Sequence, residues 1–359
     1  MGSLDRRYRR LLRAYPPAYR RVRGEELLGV LMDATPPGRD RPAFRAAANL
    51  VRHGLRARLG RPASRTVVMW ATLTAVICGL FTAAVATRLA WETGRPMPDR
   101  AETTAILAEV APEHRFTDVQ VSPALFTFYS QRVRLGDLDA ILFPDGGEYE
   151  QSSGTANATG TPPMPAAAAV GTAEARLREA GWHVYSRSVE AYDGCTDKMC
   201  AVTATITTTS VEARRGDTLF QLSVTDPRID PEVPYLSVGL RRTTPPAVLP
   251  AGVAGGLLGA ALGWLLFGWA SRRTEGQVAP RLCLAATLLL WWTPAVLAGP
   301  AMLVHHLHEP HPVWHPLWEW LGQPALAIFF AAGTVSALLG LAMSVAQSGA
   351  GAPATRKVG

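Results

Sequence analysis

Lysine is almost missing from this chain: Lys198 and Lys357 stand against 34 arginines. Neither lies in a glycine-rich phosphate loop. The sequence therefore carries no Walker A signature, and any ATP-driven role needs a separate ATPase. Cysteine is scarce too, and four residues in 359 are too few for a disulfide-built scaffold. Cys78 and Cys283 fall in apolar stretches, where a thiol behaves as a small buried hydrophobe. The HExxH order and the ordered spacing of a calcium loop are also lacking. No nucleophile–base pair or cofactor cradle stands out, which points away from an enzyme and to no cofactor. The arginines lack a helix-turn-helix pattern and interleaved aromatics, so no nucleic-acid partner is expected.

Four stretches are nearly free of charge: 66–90, 245–270, 282–304 and 323–347. A helix rising about 1.5 Å per residue needs about 20 residues to cross the ~30 Å hydrocarbon core, and each stretch exceeds that. The first has the small residues Ala84-Val85-Ala86 near its end, but the basic region of 65 residues ahead of it is too long for a signal peptide. Charge divides the rest. Residues 1–65 hold sixteen arginines against five carboxylates, a balance of +11. Residues 91–246 hold fourteen Arg or Lys against twenty-one Asp or Glu, a balance of −7. Basic residues beside a spanning helix stay in the cytosol. Arg272, Arg273 and Arg281 mark a second inside turn, and Arg356 and Lys357 an inside tail.

The expectation is a multi-pass α-helical membrane protein with four transmembrane helices. An N-terminal cytosolic helical domain (1–62) precedes the first span, and an extracytoplasmic α+β domain (91–243) follows it. An outer His/Trp/Pro-rich loop (305–322) joins spans three and four, and a cytosolic tail (348–359) closes the chain. Its setting is the cell membrane with both termini cytosolic, and its first partner the lipid bilayer. No Asp, Glu, Lys or His lies at mid-depth in a span, the usual mark of an ion path.

Residues 4–60 read as three short helices. Leu4, Tyr8, Leu11, Leu12 and Tyr15 recur at helical spacing until Pro16-Pro17. Val22, Leu27, Leu28 and Leu31 form a second run. Phe44, Ala47, Ala48, Val51 and Leu55 form the apolar face of a third, with Asp40 as a cap and Pro42 in its first turn. Arginines fill the other faces, suited to anionic headgroups. A module of about 60 residues is marginal alone, so it is expected to pack on a partner, its own copy or the membrane surface.

The string Arg7–Arg21 (RYRRLLRAYPPAYRR), followed by Gly24-Glu25-Glu26-Leu27-Leu28 and Asp33-Ala34, resembles the permease prefix domain. That cytosolic helical module precedes membrane segments in bacterial permeases and in HAAS-type signalling membrane proteins. The resemblance covers about residues 1–60. It implies a regulatory or assembly role and a cytosolic protein partner held through residues 1–62, with no catalytic residues.

Between residues 91 and 243 the pattern predicts helices at Thr103–Val110 and Thr172–Ala180. Strands are predicted at Thr117–Val121, Leu125–Tyr129, Ala140–Phe143, Glu148–Gln151, His183–Val189, Ala201–Glu212, Leu219–Val224 and Leu236–Arg241. Pro144-Asp145-Gly146-Gly147 is a hairpin signal. Ser152–Ala169, rich in Gly, Pro, Ala, Ser and Thr, reads as a linker or loop. Cys195 and Cys200 are read as a disulfide closing a hairpin tip in an oxidising compartment; a metal site there needs further ligands. Asp137, Asp139, Asp145, Glu148 and Glu150 read as a solvated acidic face.

In the second span Gly255, Gly259 and Gly263 share one helical stripe, which lets another helix approach closely. Packing inside the four-helix set and a homodimer seam are the two readings of it. Pro294 and Pro300 are expected to bend the third span. The loop His305–His315 gathers five of the eight histidines. Imidazole suits zinc, copper or nickel, yet Pro310 and Pro312 forbid a regular helix and the site residues expected here include no metal ligand.

The leading reading is a non-enzymatic membrane protein that senses or regulates, linking an outer domain to a cytosolic partner. One alternative is an FtsX- or MacB-like permease subunit working with a separate ATPase. A second is a metal-binding protein using the His305–His315 loop.

Overall fold

The computed structural model describes residues 3–60, 63–122, 127–128, 131–132, 149–150, 153–195, 203–226, 233–308, 316–321 and 326–350. The chain opens with α1 (Ser3–Leu12), α2 (Pro17–Asp33) and α3 (Phe44–Ala57). Next is α4 (Arg65–Trp91), the first of four helices among the described residues that are long and apolar enough to cross a membrane. Then follow α5 (Arg100–Val110), β1 (Phe116–Ser122) and three two-residue strands, β2 (Thr127–Phe128), β3 (Gln131–Arg132) and β4 (Tyr149–Glu150). The series continues with β5 (Ser153–Ala158), α6 (Ala166–Glu179), β6 (His183–Val184) and β7 (Ser188–Cys195). It ends with β8 (Thr203–Arg215), β9 (Thr218–Asp226) and β10 (Leu236–Arg242). The other apolar helices are α7 (Val248–Arg273), α8 (Val278–His308) and α10 (Ala327–Ala350), with the short α9 (Leu317–Leu321) before the last.

Two compact units result: Met1–Ala83 with Gly252–Thr293 and Phe329–Gly359, and Ala84–Ala251 with Pro294–Ile328. In the first, α1, α2 and α3 close over Leu4, Tyr8, Leu12, Tyr15, Leu28 and Leu50. Pro17 starts α2 at its first position, where a missing N–H costs nothing. The third helix turns a different face inward from the one its apolar spacing suggests. Leu50 and Gly54 are its buried residues, while Phe44 stands 87% exposed. Gly54 decides this, because a Cβ there would press on Ala14 Cβ at 2.7 Å and on the Tyr15 ring at 2.8 Å. Arg58 then donates to the carbonyls of Ala14 (2.6 Å), Arg13 (2.7 Å) and Tyr15 (3.3 Å), tying the turn after α1 to the end of α3.

This small module packs on its own chain. Trp264 Nε1 of α7 donates to the Leu55 carbonyl at 3.1 Å, and a Cβ at Gly268 would lie 2.9 Å from the Arg58 carbonyl. Leu59 is fully buried. Among the apolar helices, α4 meets α7 where neither has bulk: a Cβ at Gly79 would sit 3.1 Å from the Gly256 carbonyl. Thr82 Oγ1 crosses to the Gly255 carbonyl at 2.9 Å. Helices α8 and α10 use the same device at Gly333, whose Cβ would strike Trp291 Cδ1 at 2.6 Å, and at Gly340 beside Cys283. Ser336 Oγ donates across to the Cys283 carbonyl at 2.8 Å.

The second unit holds a mixed helix and sheet domain. Seven strands form an antiparallel sheet in the order β1-β5-β10-β9-β8-β6, with β7 also on β8. β2, β3 and β4 make a separate small sheet. One face of the large sheet is apolar: Phe220, Leu222 and Val224 of β9, Leu236, Val238 and Leu240 of β10, and Val211 and Ala213 of β8. Ile106, Leu107 and Val110 of α5 and Val170, Ala173 and Leu177 of α6 cover it. The other face carries hydroxyls, with Ser210 and Ser223 paired at 2.8 Å and Thr208 and Thr225 at 3.2 Å. This is the one-sided pattern of an antiparallel sheet wet on one surface. Arg242, 7% exposed, ties β10 to the segment after α4 by donating from Nη2 to the Pro96 carbonyl at 2.6 Å.

The largest departure from expectation is β5. A stretch whose composition reads as a linker forms an interior strand between β1 and β10, and the helix after it begins at Ala166. Gly154, Ala156 and Ala158 all point into the core. They must be small there: a Cβ at Gly154 would already touch Leu240 at 3.5 Å and the Thr103 hydroxyl of α5 at 3.8 Å. The predicted strand at Ala140–Phe143 and the hairpin at Pro144–Gly147 lie outside the described residues.

Candidate functional site

A groove of about 500 Å³ runs between α5 and β1 on the helix and sheet domain. Asp99 caps α5, its Oδ1 accepting from the Glu102 N–H at 2.8 Å. From that start Arg100, Thr104, Leu107, Ala108 and Ala111 fall at i, i+4, i+7, i+8 and i+11, one stripe along the groove. A tight turn at Pro112–His114, in which His114 N–H donates to the Ala111 carbonyl at 3.1 Å, returns the chain as β1. Phe116, Thr117 and Val119 of that strand form the opposite wall.

The floor is apolar and the rim cationic. Leu107 and Ala111 are 2% and 3% exposed, whereas Arg100 and Arg115 are exposed. Arg100 reaches over from the helix to the Val119 carbonyl at 2.5 Å, fixing the width of the groove. At its inner end the His114 ring is buried, its Nδ1 3.1 Å from the Tyr235 hydroxyl. Burial pushes the imidazole below its ordinary pKa; the neighbouring Glu113 works weakly the other way. Burial likewise raises the Tyr235 phenol. Glu113 points to α6, where the Arg176 guanidinium grips both its oxygens and holds its pKa at about 2. The Glu113 carboxylate is therefore already paired. An apolar floor below the exposed Arg100 and Arg115 has the chemistry to suit an anion with an apolar part; the Thr104 and Thr117 hydroxyls are engaged elsewhere, with the Arg100 carbonyl and with Asn157 and Thr159.

The sequence did not single out Arg100, His114, Arg115 or Tyr235. The usable signal was the Asp99 cap followed by the Arg100–Ala111 stripe. Cys195 ends β7, but Cys200 lies outside the described residues, as do Asp137, Asp139, Asp145 and Glu148. Gly255, Gly259 and Gly263 lie along α7, and the last two are buried. A Cβ at Gly259 would overlap the Thr82 side chain, and one at Gly263 would sit 2.9 Å from Cys78 Cβ. His305, His306 and His308 fall in the last turns of α8, which runs past the expected boundary at Val304. His306 stacks on Trp320 with ring centres 5.6 Å apart. His311 and His315 lie outside the described residues. Among the described residues no three His, Cys, Asp or Glu side chains gather as metal ligands.

A second feature unforeseen from the sequence lies where α4 ends. Arg88, 8% exposed, pairs with Glu92 at 2.9 Å and covers the Trp318 ring of α9 at 5.5 Å. Trp91 meets the same ring edge-on at 6.0 Å. This seats α9 by cation–π and aromatic packing. Comparison with known proteins finds no matching family model, no matching curated protein and no matching solved structure.

Proposed function

We propose that this chain is a non-enzymatic, multi-pass membrane protein that senses or regulates. In this reading the helix and sheet domain lies outside the cytosol, and α1–α3 lie inside with both termini. The observation that carries it is the division of charge around four apolar helices, +11 over residues 1–65 and −7 over 91–246. The α5–β1 groove is the ligand site of the outer domain. The α1–α3 module, which resembles the permease prefix domain, is the output that a cytosolic protein reads. Its docking on α7 gives movement of the spans a route to that surface. The turn between α7 and α8 spans four residues, 274–277, too short for an ATPase-engaging helix, which favours sensing over a permease subunit.

The test is photo-crosslinking in intact cells from Val22, which stands 83% exposed on α2. The expected result is one discrete adduct with a cytosolic protein, absent when the probe replaces buried Leu28 instead. Adducts with lipid alone would contradict the reading.

A further inference from the structure

A second cavity, of about 450 Å³, opens among α4, α7 and α8 within the first unit. Val67 and Trp70 of α4, Phe267 of α7 and Leu288 of α8 give it an apolar wall. Its polar lining gathers at one end, where α7 turns into α8: Ser271, Thr274 and Arg281. Thr274 is internally satisfied, its hydroxyl donating to the Ala270 carbonyl at 2.9 Å. Arg281 is exposed and commits only its Nε, to the Thr274 carbonyl at 2.8 Å. Among the described residues, its two terminal amino groups meet no protein acceptor. Arg272 and Arg273 follow at the end of α7, against one carboxylate in the turn, Glu275.

We propose that this cavity is a binding site for an anionic phospholipid, with an acyl chain along the apolar wall and its phosphate on Arg281. The inference rests on the reading that these helices cross a membrane. Charge and shape together select the occupant. A guanidinium with free parallel donors matches a phosphate fork. A free phosphate ion would leave the apolar wall unused, and a zwitterionic lipid, though it too offers a phosphate, would set its quaternary ammonium against the cationic cluster of Arg272, Arg273 and Arg281. The site lies where α3's end, through Arg58 and Gly268, meets the same helix α7. Occupancy therefore stiffens the junction through which the small module is held.

The experiment reconstitutes the full chain in phosphatidylcholine nanodiscs containing a minority of phosphatidylglycerol, and counts lipids retained on release by native mass spectrometry. Wild type is expected to keep one phosphatidylglycerol. Arg281→Gln loses a charge-assisted hydrogen-bond pair and is expected to reduce that occupancy about tenfold, while Arg281→Lys keeps most of it. Ala285→Phe, which fills the cavity without touching charge, is expected to reduce it as well. Equal retention by all variants, equal retention of phosphatidylcholine, or displacement by inorganic phosphate alone would overturn the proposal. Carbonate washing of native membranes separates the two levels. A chain that leaves the membrane sinks the membrane reading too, whereas one that stays and carries no phosphatidylglycerol sinks only this site.

Discussion

At the scale of residues, the α5–β1 groove depends on a histidine held neutral. His114 has a folded-state pKa below 6.5, so the unfolded chain takes up a proton first as pH falls. Stability is therefore full above about pH 6.5 and declines as the pH drops below it toward the folded value. Glu113 acts in a lower window. Its folded pKa of about 2 lies beneath the ordinary 4.5, so its contribution is present above 4.5 and is lost between 4.5 and 2. Between pH 7 and 5 only the histidine contributes of these two. Hydrogen exchange of the full chain, corrected for intrinsic rates, should show peptides from α5 and β1 losing protection over that interval. His114→Gln should flatten the change, and an unaltered pH response in that variant would refute the assignment. None of this was legible beforehand. His114 and Tyr235 lie 121 positions apart, and only the sheet brings their side chains together.

At the scale of elements, periodicity served best where one face alone is buried. The strand β9 alternates buried and half-buried residues along nearly its whole length, and it lies where alternation predicts it. The strand β5 fails the same reading because its inward residues are glycine and alanine, which carry no hydrophobic signal. A side chain at Gly154 would meet Leu240 of β10 and Thr103 of α5. A similar logic governs the contact of α4 with α7. Gly259→Ala places a methyl group against the Thr82 side chain, with the Cys78 carbonyl 2.6 Å from the new Cβ. Overpacking of this kind costs about 1–3 kcal/mol. The thermal midpoint of the detergent-solubilised protein should fall accordingly. Adding Thr82→Ala should recover part of the loss, because it removes one of the two obstructions. Strict additivity of the two substitutions would mean that the helices do not meet there.

At the scale of the whole molecule, the sequence already displayed four apolar stretches and their flanking charge, because hydropathy over 20 residues survives ignorance of every contact. The helices do not stop where the apolar stretches do. The second runs Val248–Arg273 and the third Val278–His308. Arginine snorkelling and helix-favouring turns extend a helix beyond its apolar core, which a hydropathy boundary does not register. The central claim is that the arginine-rich and carboxylate-rich portions lie on opposite sides of a bilayer. Thiol labelling of intact cells with a membrane-impermeant maleimide tests it most directly, using exposed positions in loops, Thr161→Cys and Arg39→Cys, against a wild-type control. The account requires label at position 161 in intact cells and at position 39 only after lysis; label at both from the same side would contradict it.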